Sequence, residues 1–330
     1  MAAATQLHAP KVSSPKDLYE IGEVPPLGHV PAKMHAWAIR KERHGPPETS
    51  FQLEVVPTWP IGEDEVLVYV MAAGVNYNGV WAGLGVPISP LDGHKNPFHI
   101  AGSDAAGIVW AVGSKVRRWK VGDEVIVHCN QDDGDDEDCN GGDPLLSPSQ
   151  RIWGYETPDG SFAQFCRVQS RQLMPKPAHL TWEEAACNAL CNSTSYRMIV
   201  SPNGAQITQG QSVLVWGATG GIGAYAVQYV LNGGGTPVGV VSSPERAALL
   251  NEMGCEAVID RRAEGYRFWS DEHTQDPKEW QRLGKRIREL VGEDPDIVFE
   301  HPGRQTMGAS IFACKRGGST RAARGPCAKK

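Results

Sequence analysis

The sequence predicts an α/β protein: a β-rich first part, then a doubly wound parallel sheet. Three observations predict it. From Met34 the chain runs in short apolar stretches broken by Pro and Gly, the texture of strands and turns. Residues Ser212–Gly223, SVLVWGATGGIG, read as a buried strand entering a glycine-rich turn and then a helix. After that turn, strand-like and helix-like stretches alternate, which is a βαβ series.

Residues 1–32 are polar and proline-bearing and read as an extension, with one helical turn expected near Lys16–Ile21. Residues 33–190 form the β-rich domain. MHAWAIR, FQLEVVPTWP, EVLVYVMAAGVNY and HIAGSDAAGIVWAVG supply its strands, and RIWGYETPDGSFAQFCRV returns to strands after an acidic loop. That loop, Gln131–Asp143, lacks the spacing of an EF-hand and reads as solvated. From His179 a helix is expected to link the two domains, opened by a capping box of Thr181 with Glu184. In residues 191–318 the expected order after the glycine turn is strand Val238–Val241, helix Pro244–Met253, strand Ala257–Ile259, helix Pro277–Val291, strand Asp296–Glu300 and helix Arg304–Ala313. With Val213–Trp216 this makes four strands, where a complete dinucleotide-binding sheet has six.

Composition is that of a globular protein, 41% apolar and 21% charged, and no apolar run approaches a membrane span. The N-terminus lacks the apolar core of a signal peptide. The cysteines form no C-x-x-C pair, so neither a disulfide framework nor a cysteine zinc site is expected, and the protein reads as cytoplasmic. The tail carries Lys315, Arg316, Arg321, Arg324, Lys329 and Lys330 without an acid; nucleic-acid contact by this tail is the weaker reading of it.

The turn is a candidate dinucleotide site. Gly217, Thr219, Gly220, Gly221, Ile222 and Gly223 lie where backbone N–H groups and the positive end of a helix dipole would meet a pyrophosphate. At the end of the next strand stand Ser242 and Ser243, with Arg246 one helical turn later, where an NAD site has an acid. Hydroxyls and a guanidinium suit a 2′-phosphate, so NADP is favoured, although Glu245 blurs the pattern. Ser242 is equally placed to cap the helix.

A β-rich domain followed by such a sheet resembles the medium-chain dehydrogenase/reductase superfamily, which implies a GroES-like first domain and a Rossmann-type second one. The zinc branch usually has G-H-E where this chain has Gly102-Ser103-Asp104, so no metal is expected. More specific stretches, GVNYNGVW, RIWGYET, LMPKPAHLTWEEAA, CNSTSYR, AEGYRFWSDEHTQDPKEWQRLGKRIREL and DIVFEHPGRQTMGAS, resemble the crotonyl-CoA carboxylase/reductase family from about residue 30 to Gly318. The insert around Phe268–Arg288 is the most telling. The resemblance implies a homo-oligomer that converts an α,β-unsaturated acyl-CoA and CO2, with NADPH, to a carboxylated product.

That chemistry needs donors for an enolate oxygen and a pocket that holds CO2 while keeping acids away. By resemblance, Asn78 and Glu156 match CO2-pocket residues, and Tyr155 stands where the family has an aromatic ring. A turn asparagine and a loop carboxylate are the plain alternatives. Thr194 would reach the phosphates from the linking helix, and His301 would line the nicotinamide end. The resemblance also implies further strands and a pocket histidine beyond Gly318. Nothing in STRAARGPCAKK reads as a fifth strand, so the sheet is expected to be incomplete, with an unpaired edge and weak or absent activity in a truncated chain. A plain NADPH-dependent enoyl-CoA or quinone reductase, or an inactive nucleotide-binding fragment, remain the alternatives.

Overall fold

A computed structural model describes residues 15–322, and these divide into two compact units, one up to Leu190 and one from Cys191. Arg324, Lys329, Lys330 and the first 14 residues of the expected extension lie outside the described residues.

The first unit holds β1 (Lys33–Ile39), α1 (Pro47–Ser50), β2 (Gln52–Pro57), β3 (Glu65–Gly74), α2 (Tyr77–Leu84), β4 (His99–Ile100), β5 (Asp104–Val112), β6 (Glu124–Val127), β7 (Asn130–Gln131), β8 (Arg151–Ile152), β9 (Phe165–Gln169), β10 (Leu173–Pro175) and α3 (Trp182–Ala186). Two larger sheets, in the orders β2-β1-β4 and β10-β6-β5-β3-β9, and the short pair β7-β8 carry it, with the named strands paired antiparallel. The register of β3 against β5 slips twice, between Leu67 and Val68 and between Val70 and Ala72, which bends the sheet around its core. Tyr69, Trp110 and Phe165 meet there at ring centroid distances of 5.0–6.1 Å.

Residues from Lys16 to Ile21 do not form the expected helical turn. They are irregular, with a bend at Asp17 and a turn beginning at Ile21, and are tied to the unit: Lys33 N–H donates to Asp17 O, and Tyr19 is buried. The expected linking helix is two helices. The capping box opens α3, with Glu184 N–H donating to Thr181 Oγ1 at 3.2 Å and Thr181 N–H to Glu184 Oε2 at 2.9 Å. The chain then breaks at Cys187–Asn188 and restarts as α4 (Ala189–Ile199).

The second unit follows as β11 (Ser212–Trp216), α5 (Gly221–Asn232), β12 (Thr236–Val241), α6 (Pro244–Glu252), β13 (Ala257–Asp260), α7 (Pro277–Val291), β14 (Ile297–Glu300), α8 (Met307–Ala313) and β15 (Ser319–Ala322). The sheet is parallel in the order β13-β12-β11-β14-β15. Its strands are apolar because both faces are covered. Val213, Val215 and Phe299 pack on one side with Val227, Val230 and Leu250; Leu214, Trp216 and Val298 pack on the other with Leu283, Ile287 and Ala309. Strand order reverses between β11 and β14, so the ligand crevice belongs at their carboxyl ends.

The expectation of four strands and a bare β14 edge is corrected: β15 pairs with all of β14, from Ile297↔Ser319 to Glu300↔Ala322. An edge strand is half-solvated and gains its place through backbone bonds, so STRA needs no apolar run. Among the described residues no helix is long and apolar enough to cross a membrane.

Candidate functional site

In the second unit β11 delivers the chain into the glycine turn. Gly217 has φ +54, a left-handed conformation, and a Cβ there would meet His301 Nε2 at 2.8 Å. A Cβ on Gly223 would lie 2.2 Å from Gly217 O, so only glycine lets α5 start this close to the strand. Gly220 is the N-cap of α5 and has no side chain to fold onto the first-turn N–H groups, which leaves them to an anion. α4 backs this end. Ser195 Oγ donates to Ile222 O at 2.6 Å, and a Cβ on Gly221 would strike Cys191 Sγ at 2.8 Å. Half-buried Thr194 sits on that turn of α4, whereas the Ile222 side chain packs against the core, so only its backbone faces a ligand.

A cleft of about 540 Å³ opens beside the turn. Trp216, Gly217, Thr219, Val240 and Val241 line its inner side, and Ser242 and Arg246 its rim. Arg246 Nη1 donates to Ser242 Oγ at 3.4 Å. Ser243, not Ser242, is the N-cap of α6, accepting from Arg246 N–H at 3.4 Å, and it is absent from the cleft lining. Its hydroxyl also bonds the fully exposed Glu245, holding that carboxylate below its usual range. The acid that blurred the cofactor reading is therefore engaged.

Arg261 and Arg267 line the same cleft and were not among the residues expected to bind cofactor. Arg261 follows β13, where its N–H donates to Val241 O at 3.0 Å and sets it beside Ser242. Arg267 belongs to the insert, whose Tyr266, Phe268 and Trp269 form the aromatic wall. No local sequence pattern marks either of this pair. Three guanidinium groups and a hydroxyl at one end, and uncapped helix N–H groups at the other, fit a dinucleotide carrying a 2′-phosphate.

His301 is not among the cleft-lining residues. Its Nε2 donates to Trp216 O at 2.8 Å, and its ring rests against the glycine turn; burial lowers its pKa. Beside it the buried Glu300 carboxylate accepts from Gly303 N–H at 2.9 Å, Thr306 Oγ1 at 2.8 Å and the Ser310 hydroxyl. Ser310 in turn accepts from the Trp216 indole at 2.7 Å. This network fixes the turn's floor to α8.

The first unit gathers the other candidates. α2 enters from β3 and places half-buried Asn78 with its Nδ2 2.6 Å from Ser103 Oγ; Asn78 Oδ1 is buried without a hydrogen-bond partner. The 154–162 segment runs beside residues 100–102: Gly160 N–H bonds Ile100 O, Ser161 N–H bonds Gly102 O, and a Cβ on Gly154 would lie 2.0 Å from Gly102 O. That contact brings Tyr155 into one apolar cluster with Ala82 of α2 and with Ala101. The Tyr155 hydroxyl donates to Ile88 O at 3.4 Å, and burial followed by the Glu156 charge pushes its pKa up. Glu156 Oε2 accepts from Ile152 N–H at 2.8 Å.

The Gly102-Ser103-Asp104 triplet does not fit a metal. Ser103 is taken by Asn78, and the Asp104 carboxylate accepts from Asn76 Nδ2 and Leu190 N–H, both at 2.8 Å. Among the described residues the ligand-type groups that converge are Asp133, Asp136 and Cys139, in the acidic loop. There Asp136 is occupied by the Ser147 hydroxyl and by Cys139 N–H.

The alcohol dehydrogenase GroES-like domain family matches residues 62–178, and the zinc-binding dehydrogenase family matches residues 221–321. The chain is 58% identical over 312 residues to the crotonyl-CoA carboxylase/reductase of Cereibacter sphaeroides, covering 92% of this chain and 72% of that protein. A solved crotonyl-CoA carboxylase/reductase superposes with TM-score 0.88 at 60% identity, over 94% of this chain and 74% of the other. The 2-octenoyl-CoA carboxylase reductase CinF, solved with NADP and 2-octenoyl-CoA, superposes with TM-score 0.84 at 42% identity, over 89% of this chain and 71% of the other.

Proposed function

The chain belongs to the crotonyl-CoA carboxylase/reductase family, and from that membership we propose that it reduces an α,β-unsaturated acyl-CoA while adding CO2 at the α-carbon. Crotonyl-CoA is the substrate for which the reading is made. When bound, NADPH supplies the hydride. The glycine turn and the free N–H groups of α5 would hold the pyrophosphate, and Ser242, Arg246, Arg261 and Arg267 would hold the 2′-phosphate. Hydride addition to the β-carbon of the acyl-CoA leaves an enolate shared between the α-carbon and the thioester oxygen.

At that point the choice between carboxylation and simple reduction rests with groups of the first unit. The observation that carries the carboxylating reading is Asn78. An amide has no proton to give to carbon, but its N–H can bond an oxygen of CO2. Tyr155 supports the reading because its hydroxyl is turned to a backbone carbonyl and its raised pKa makes it a poor acid. Glu156, anchored through one oxygen on Ile152 N–H, keeps the other to position a water. β15 covers the β14 edge that was expected to be open, which removes that one ground for lost activity and leaves turnover itself to the assay. Assembly into a homo-oligomer is part of the same reading, and light scattering of the purified protein tests it.

The deciding experiment supplies crotonyl-CoA, NADPH and 13C-bicarbonate and reads product mass. A labelled dicarboxylic thioester is expected. Saturated butyryl-CoA alone would sink the proposal in favour of a plain enoyl-CoA reductase.

A further inference from the structure

We propose that Ser103 and Asp104 are positioning residues for carboxylation, gripping the first turn of α2 so that the Asn78 amide offers an N–H to CO2. The proposal rests on the reading of Asn78 given above and deepens it.

Two consecutive residues at the start of β5 hold two alternate residues of the helix start. Ser103 Oγ lies 2.6 Å from Asn78 Nδ2, and Asp104 Oδ2 lies 2.8 Å from Asn76 Nδ2. Asn76 is the N-cap of α2, a residue type that ordinarily folds its side chain back onto its own helix. Here it makes no such cap and its amide goes to Asp104 instead. Asp104 is itself fixed by Leu190 N–H at 2.8 Å. The backbone between has no slack: a Cβ on Gly74 would lie 2.7 Å from Ala186 O and 2.9 Å from the Asp104 Cβ. Ser103 and Asp104 are both buried, and their partners Asn78 and Asn76 are half-buried.

The second observation is the orphaned atom. Asn78 Oδ1 is buried with no partner, at a place where a protein would normally supply a donor. Turning the amide by 180° lets Ser103 donate to Oδ1 and puts Nδ2 in that place with both N–H groups unspent. A serine hydroxyl donates or accepts and so supports both orientations. CO2 only accepts, and it therefore selects the orientation in which Ser103 donates. Without Ser103 the amide would turn freely, and a larger share of the enolate would be protonated by water instead of carboxylated.

The test measures the ratio of carboxylated to reduced product from crotonyl-CoA, NADPH and 13C-bicarbonate for the wild type, Ser103→Ala, Ser103→Thr and Asp104→Asn, each checked for NADPH binding by fluorescence. Ser103→Ala is expected to lower the ratio about tenfold, the worth of one hydrogen bond, and to raise the KM for bicarbonate while the KM for crotonyl-CoA stays within about twofold. Ser103→Thr, which keeps the hydroxyl, restores the ratio. Asp104→Asn, an isostere that removes the carboxylate, lowers it in the same direction and stands in if Ser103→Ala does not fold. A wild type that carboxylates while Ser103→Ala and Asp104→Asn keep its ratio overturns this proposal alone. A wild type that only reduces overturns the carboxylase reading and this proposal with it.

Discussion

His99 and Asp104 titrate in opposite senses in the first unit. His99 is fully buried, and desolvation, aided by the neighbouring His94, lowers its pKa from 6.5 to about 3. Between those values the unfolded chain holds the extra proton, so this group adds stability as pH rises and loses it as pH falls below 6.5. Asp104 is raised by burial from 3.8 to about 7. There the native state holds the extra proton, and stability falls as pH rises through that window. The two slopes oppose each other between about pH 4 and 6.5, each with a ceiling of about 1.4 kcal/mol per pH unit. Urea unfolding across that range should show a steeper rise with pH in Asp104→Asn and a flatter or falling curve in His99→Phe; parallel curves would contradict it. At the cofactor rim, Arg246→Ala is expected to weaken NADPH binding about tenfold and leave NADH binding within twofold, measured by fluorescence titration. What the sequence made legible at this scale follows distance along the chain. Gly217, Gly223, Ser242 and Arg246 lie in or just after one strand–turn–helix pattern. Arg261 and Arg267 reach the same cleft only because β13 pairs with β12 and the insert folds back, and no local pattern announces either.

Among the elements, long periodic helices were legible to the residue, as α7 from Pro277 to Val291 was, because a capping Asp276 and a C-terminal Gly292 bracket it. The break at Cys187–Asn188 was not, since α3 and α4 share one apolar texture and tertiary packing decides where the helix stops. β15 was invisible for the opposite reason: its place comes from main-chain bonds to β14, which leave no mark in side-chain hydropathy. The η turn Gly303–Gln305 and α8 are held to the sheet by the Glu300 network rather than by propensity. Ser310→Ala leaves the Trp216 indole N–H and one Glu300 oxygen without their partner. A loss of about 1–3 kcal/mol is expected, or roughly 2–8 °C in the melting temperature. Scanning calorimetry with and without NADPH would read it, and an unchanged melting temperature would show the network to be idle.

For the whole molecule, the two-part architecture was legible because the texture changes once, from period-two strands to a βαβ series. Each unit closes its own core and carries its own part of the chemistry: the dinucleotide cleft in the second, the amide and carboxylate candidates in the first. The residues proposed for carboxylation came from family likeness, since an asparagine after a strand and a glutamate in a loop carry no signature of their own. The N-terminal segment, read from sequence as an extension, is tied to the first unit over its described residues. Gln164 bonds it twice over, its Nε2 donating to Tyr19 O at 3.1 Å and to Glu20 O at 3.3 Å, and the Trp110 indole donates to His29 O at 2.7 Å.

Those bonds make the choice of start codon in an expression plasmid a matter of stability. A version begun at Lys33 would leave the Trp110 indole unanswered and uncover the aromatic cluster behind it. It should melt several degrees lower and stain with a hydrophobic dye before the full-length protein does, although no residue near either ligand site would have been touched.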